Sequence, residues 1–137
     1  MTAPSAAQIE ANLELVRRMI DAFNARDLDA MLEQADETFE YDWSRSLGLY
    51  AEVYRGPEGF RRFVDEQWSM FDDFRVEAHE LIPRGNYVVV PCTVYARGRD
   101  GVPVSANSTH LYTFEGGRIV RITLFQEREE ALRAAGE

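Results

Sequence analysis

Lysine is missing from this chain altogether, and all 15 basic residues are arginine. Chemistry built on a lysine Schiff base, and phosphate loops of the Walker type, therefore lack the residue they require. Cysteine occurs once, as Cys92, so no disulfide can form within the chain, and cysteine-rich zinc sites lack their ligands. Cys92 falls in the apolar run VVVPCTV, which reads as a buried inert thiol rather than a nucleophile. The only two histidines, His79 and His110, are far apart in sequence, and no metal site is expected. No apolar run approaches the roughly 18 residues of a membrane span. The opening MTAPSAAQIE has neither the basic flank nor the apolar centre of a signal peptide, so a cytoplasmic location is expected. Positive charge is also in short supply. With 24 acidic residues the net charge is −9, a field that repels phosphate backbones, and no nucleic-acid partner is expected.

What the chain does have is a globular composition, 45% apolar and 28% charged over 137 residues, enough to bury one core in a single domain spanning residues 1–137. Ser5 with Gln8 three positions on has capping-box spacing. Ile9, Leu13, Val16, Ile20 and Phe23 then recur at steps of three or four, one buried helix face. Asp27 can cap a short second helix through Ala35, carrying Leu28, Met31 and Leu32. A third helix starts at Gly56-Pro57 and carries the stripe Phe60, Phe63, Val64, Trp68 and Phe71.

The remainder reads as strands. TFEYDW (38–43) is a short one, followed by an irregular loop over 44–56. FRVEAHELI (74–82) alternates with Phe74, Val76, Ala78 and Ile82 on one side and His79, on the other, in solvent. Three longer patterns follow, NYVVVPCTVYARG, VPVSANSTHLYTFEG and GRIVRITLFQ, with turns at Asp100-Gly101 and Gly116-Gly117. EREEALRAAGE is a short charged helix. Helices followed by a long antiparallel meander imply an α+β layer whose sheet curls over the helices into a cone. Pro91 in mid-strand implies a bulge or an edge.

Alternation along a strand places Ala106, Ser108, His110, Tyr112 and Phe114 on one face, and the size of the aromatic groups marks it as the inner one. Val120, Ile122 and Leu124 are the matching inner set of the last strand. His110 is then either a core imidazole with a satisfied hydrogen bond or a group facing a pocket. Asp42 carries the same ambiguity. Alternation sets it opposite Phe39, Tyr41 and Trp43, hence outward, unless the strand bulges or twists after Tyr41.

Three passages carry a resemblance. FNARDLDAMLEQADETFEYD, YRGPEGFRRFV, and HLYTFEGGRIVRITLF followed by EREEALRAAG resemble the ketosteroid isomerase and SnoaL-like polyketide cyclase group of the nuclear transport factor 2-like superfamily. The resemblance runs from about Ile9 to Gly136. It implies a cone-shaped curved sheet wrapped over three N-terminal helices, a cystatin-like α+β barrel, and a homodimer formed through the outer sheet face. Steroid isomerases place a general-base aspartate where Asp42 falls, with one gap allowed, and a hydrogen-bonding acid where His110 stands. Met19 takes the place of their oxyanion tyrosine and can donate nothing. The Asp-Arg-Asp set of limonene epoxide hydrolases corresponds to Thr93, Pro91 and Leu124, so epoxide chemistry is not expected.

The function this implies is a cofactor-independent isomerase, cyclase or dehydratase that moves a proton next to a carbonyl of an apolar ring-bearing substrate. Asp42 would take the proton and His110 would donate to the developing enolate oxygen, supported by Tyr112. Tyr41, Trp43, Phe60, Trp68 and Tyr112 would exclude water, with Met19, Val64, Ser108, Ile122 and Leu124 completing the pocket lining. The alternative is a noncatalytic ligand-binding or dimeric scaffold module of the same fold. The two differ in whether a carboxylate and an imidazole reach one cavity.

Overall fold

The Ser5 hydroxyl accepts from the Gln8 amide at 3.1 Å and opens the first helix, α1 (Ala6–Asn24). The Asp27 carboxylate caps the second, α2 (Leu28–Gln34), through the Ala30 amide at 3.1 Å. Both caps are those expected from the residue types. The computed structural model describes residues 3–46 and 51–136, and part of the loop expected over 44–56 therefore lies outside the described residues. Beyond α2 the order is β1 (Ala35–Asp42), β2 (Val53–Arg55), α3 (Gly56–Met70), β3 (Phe71–Ala78), β4 (Ile82–Arg84), β5 (Tyr87–Gly98), β6 (Pro103–Glu115), β7 (Arg118–Phe125) and α4 (Arg128–Ala134).

Among the described residues seven strands form one sheet in the order β2-β1-β7-β6-β5-β3, with β4 also paired to β5. The sheet is open and mixed rather than a pure meander, because β1 runs parallel to β7. Helices α1, α2 and α3 pack against its concave side, where Val16, Met31, Phe39, Phe60, Phe63 and Ile122 are among the fully buried side chains. This is the α+β cone the sequence implies.

Four local features differ from the sequence expectation. Ala35 and Phe71, expected in helices, are the first residues of β1 and β3. Val53–Arg55, expected as loop, pairs antiparallel with β1. The single strand expected over 74–82 breaks after Ala78. At the break His79 is exposed, as expected, with its Nε2 2.7 Å from the Thr93 hydroxyl. Pro91 makes neither bulge nor edge with β6, pairing Thr109 in unbroken register. On its other side β3 ends opposite Cys92 and β4 begins opposite Val89. The proline thus sits beside a gap in the ladder, where its missing N–H removes no sheet bond.

The convex side of the sheet has its own apolar cluster. Ile82, Val89, Leu111 and Phe125 are covered there by Ala131 and Ala135, from α4 and its C-cap. Part of the outer face expected to carry a homodimer is therefore occupied by the chain itself. On the concave side Gly59 lets the first turn of α3 lie against β2, since a Cβ there would stand 3.0 Å from the Tyr54 carbonyl carbon.

Candidate functional site

Register fixes which side chains share the inside of the cone. Tyr41 pairs with Tyr54 on one side and Ile122 on the other, Ile122 with Tyr112, and Tyr112 with Val88. Directly opposed residues lie on one face, so these form one row across the sheet. The next row is Leu124, His110 and Val90. His110 is 3% exposed and lines the concave-side interior with Tyr112 and Ile122, so it does point inward.

In front of these rows is a void of about 20 Å³. His110, Tyr41, Tyr112 and Ile122 line it from the sheet, together with Val76 of β3. Met19, Ile20, Phe23, Met31 and Phe60 line it from the helices. A space of that size accommodates roughly one water. The walls are apolar apart from the imidazole and two phenols.

The Nε2 of the imidazole is buried and has no hydrogen-bond partner among the described residues. Burial disfavours the charged form and pushes its pKa down to about 4, so the ring is neutral at physiological pH. Trp43 approaches the ring edge-on, with centroids 6.1 Å apart. The Tyr41 phenol is pushed well above its ordinary value by burial, and then by neighbouring Tyr112 and Cys92. Tyr112 is likewise raised by burial and by Cys92. Both phenols stay protonated and can donate. The Cys92 thiol is raised by burial as well, against a weaker opposing contact from Ser108 3.7 Å away.

Asp42 is elsewhere. It pairs with Val53 and Thr123, one residue out of step with Tyr41, and so lies on the opposite face of the sheet from His110. Its carboxylate accepts from the Ser44 hydroxyl at 2.5 Å and the Ser44 amide at 3.1 Å. Arg121 Nη2 is 3.4 Å away and Arg45 Nη1 3.6 Å. Burial alone would raise this carboxyl, but the two Ser44 hydrogen bonds and the two arginines outweigh it and hold it below the usual range. A carboxylate so stabilised is a poor base, and it shares no cavity with the imidazole. The structure separates the pair that the acid–base reading needs together.

Of the other residues expected at the site, Met19, Tyr41, Phe60, Tyr112 and Ile122 line the void. Val64 and Leu124 are packed core, and Trp43 lies behind His110. Ser108 faces Cys92, and Trp68 stands against Phe23 with the Arg26 guanidinium 5.7 Å over its ring. Ile20, Phe23, Met31 and Val76 complete the lining and were read from sequence only as core positions. Their periodicity marks them as inward, but nothing local distinguishes a wall from a filled centre. A larger open hollow of about 790 Å³ lies at the surface between Pro4, the Arg84–Tyr87 turn and the Thr113–Gly116 turn. Among the described residues only Arg84 and Glu115 bring charge to it, and none of the expected site residues lines it.

The sequence profile of the SnoaL-like domain matches residues 16–122 of the chain. No curated protein matches it. Among solved structures, TerC, crystallised with polyporic acid, superposes with a TM-score of 0.78 at 19% identity, covering 93% of this chain and 99% of that one. A nuclear transport factor 2-like protein of unknown function from Burkholderia pseudomallei gives 0.77 at 22% identity, with 93% and 98% covered. A protein from Xanthomonas campestris described as a candidate polyketide cyclase gives 0.71 at 18%, again with 93% and 98% covered. At these identities the likeness is one of fold.

Proposed function

Because the chain belongs to the SnoaL-like domain family, we propose that it acts on one apolar, ring-bearing molecule drawn into the cone, promoting proton transfer next to a carbonyl without metal or organic cofactor. The observation that carries this reading is the unpartnered Nε2 of His110, buried and set beside two protonated phenols in an apolar space. A buried polar nitrogen with no partner is unfavourable by roughly 1–3 kcal/mol, and a ligand oxygen would relieve it. In the tautomer that carries its proton on Nε2, the neutral ring donates to the carbonyl. As the neighbouring C–H is lost, charge gathers on that oxygen, and the hydrogen bond strengthens in the water-poor interior. Such a donor contributes roughly 10²–10³-fold. Tyr41 and Tyr112 supply further O–H donors on the same face.

With Asp42 on the far side of the sheet, the departing proton goes to the substrate itself. Dehydration or cyclisation, in which a leaving hydroxyl or a newly formed alkoxide takes it, fits the interior better than a shuttle between two carbons. A noncatalytic binding module is the second reading. It is favoured by the lack of any carboxylate among the residues lining the void.

Incubation with ring-bearing β-hydroxy ketones and diketones separates the two. Loss of water or ring closure, followed by NMR, is expected to exceed the buffer rate, and His110→Leu is expected to lower it by about 10²-fold. Chemical-shift changes without turnover would support the binding module. Neither binding nor turnover across the panel would remove the small-molecule reading.

A further inference from the structure

Three buried side-chain atoms of the described residues have no hydrogen-bond partner: His110 Nε2, Arg121 Nε and Trp68 Nε1. Buried donors are nearly always satisfied, and each exception calls for an explanation. Arg121 has one, since its Nη2 lies 3.3 Å from Glu40 and 3.4 Å from Asp42 in a charged cluster on the convex face. His110 has one in the ligand oxygen proposed above. Trp68 has none. An indole N–H can only donate, so in a dry place it is satisfied only by an acceptor brought to it.

Trp68 continues the inner stripe of α3. Phe60, Val64 and Trp68 stand at steps of four, and Phe60 lines the void. Eight residues of rise put the indole about 12 Å further along the helix axis than Phe60. Phe23 joins the two places from the α1 side. It lines the void, and its ring centroid stands 6.4 Å from that of Trp68. Arg26 covers a face of the indole, its guanidinium carbon 5.7 Å from the ring centroid. The same guanidinium is anchored, with Nη2 donating to the Phe71 and Asp72 carbonyls at 3.3 and 3.1 Å. Trp68 is half-buried, yet its N–H is kept from water. A donor held in this way gives up little freedom on binding.

Building on the reading of the void as a ligand site, we propose that Trp68 Nε1 is a second hydrogen-bond donor to the same ligand. The substrate class is then a fused-ring molecule with an acceptor oxygen at each end. One oxygen sits at His110. As the ring system enters, the Phe23 side chain yields, and space opens over Val64 toward the indole. The ring that replaces Phe23 carries the second oxygen to Trp68. A ligand with that oxygen relieves a buried donor, and one that lacks it does not.

Decalin-1,5-dione and decalin-1-one differ by the far carbonyl alone. Their dissociation constants are measured by isothermal titration calorimetry for the wild type, Trp68→Phe and His110→Leu. Trp68→Phe keeps an aromatic ring and removes the N–H. It is expected to weaken the dione about 3- to 10-fold, the worth of one hydrogen bond, and to leave the mono-ketone unchanged. His110→Leu is expected to weaken both. Where Trp68→Phe does not fold, the wild-type indole decides by NMR. Its N–H resonance is expected further downfield in the dione complex than in the mono-ketone complex. A dione that Trp68→Phe leaves unweakened, equal weakening of the two ketones, or an indole resonance alike in both complexes overturns the second donor and spares the reading of the void. So does binding of the mono-ketone without the dione. A wild type that binds neither ketone overturns both.

Discussion

A proton on His110 has no solvent to share its charge and no anion beside it among the described residues, so this ring is one route by which acid acts on the fold. The folded pKa of about 4 lies below the unfolded value of 6.5. Between those values the unfolded chain binds the proton and the folded one does not, so stability is full above pH 6.5 and lost as pH falls toward 4. The loss attributable to His110 amounts to about 3 kcal/mol. Urea titrations at pH 7 and pH 4.5 are expected to show this decline in the wild type, with a smaller one in His110→Leu. Asp42 makes the opposite case, a charged group whose work is structural. Asp42→Ala gives up both Ser44 hydrogen bonds and is expected to lower stability by roughly 1–3 kcal/mol in thermal melts, leaving ligand binding unchanged. Strand alternation was enough to read His110 as inward and to expose the difficulty with Asp42. It could not reveal Ser44, Arg45 and Arg121 around that carboxylate, because the bond to Arg121 spans 79 positions of sequence.

Elements with a strong period and a cap were legible to within a few residues. The stripes of α1 and α3 face the core as the spacing of Val16, Phe60 and Phe63 requires. Short strands were not, because the three residues of β2 carry too little pattern to distinguish strand from loop. The break between β3 and β4 was hidden because apolar positions continue in step from Ala78 to Ile82, and alternation alone set Ile82 on the side of Phe74 and Val76, whereas it turns to the convex side. Close approach of elements is equally invisible in sequence, and Gly59 is the instance here. Gly59→Ala would press a methyl into the Tyr54 backbone, prying the start of α3 off β2. A loss of about 1–3 kcal/mol in urea unfolding is expected, despite the better helix propensity of alanine.

At the scale of the molecule the interior is nearly filled, so taking up a ring requires the helices to give way. Met19 and Met31 are the adaptable part of that wall, unbranched and easily repacked. Met31→Ala is expected to lower stability by about 2–5 kcal/mol while enlarging the space. A ring-bearing ligand should then raise the Tm of the variant more than that of the wild type in thermal-shift measurements, because the occupant fills what the side chain vacated. The cone itself was legible as a class, whereas its parallel seam was not, because no local pattern announces that a first strand will lie beside the last. That seam also sets a clock. Tyr41 and Ile122 meet across about eighty residues of intervening chain, a loop whose closure entropy is met before the contact rewards it. The β5–β6 hairpin can form early from neighbouring sequence, while the mating of β1 with β7 waits for both halves. Folding is then expected in milliseconds to seconds rather than microseconds, with the chamber that holds His110 sealed only in the final step.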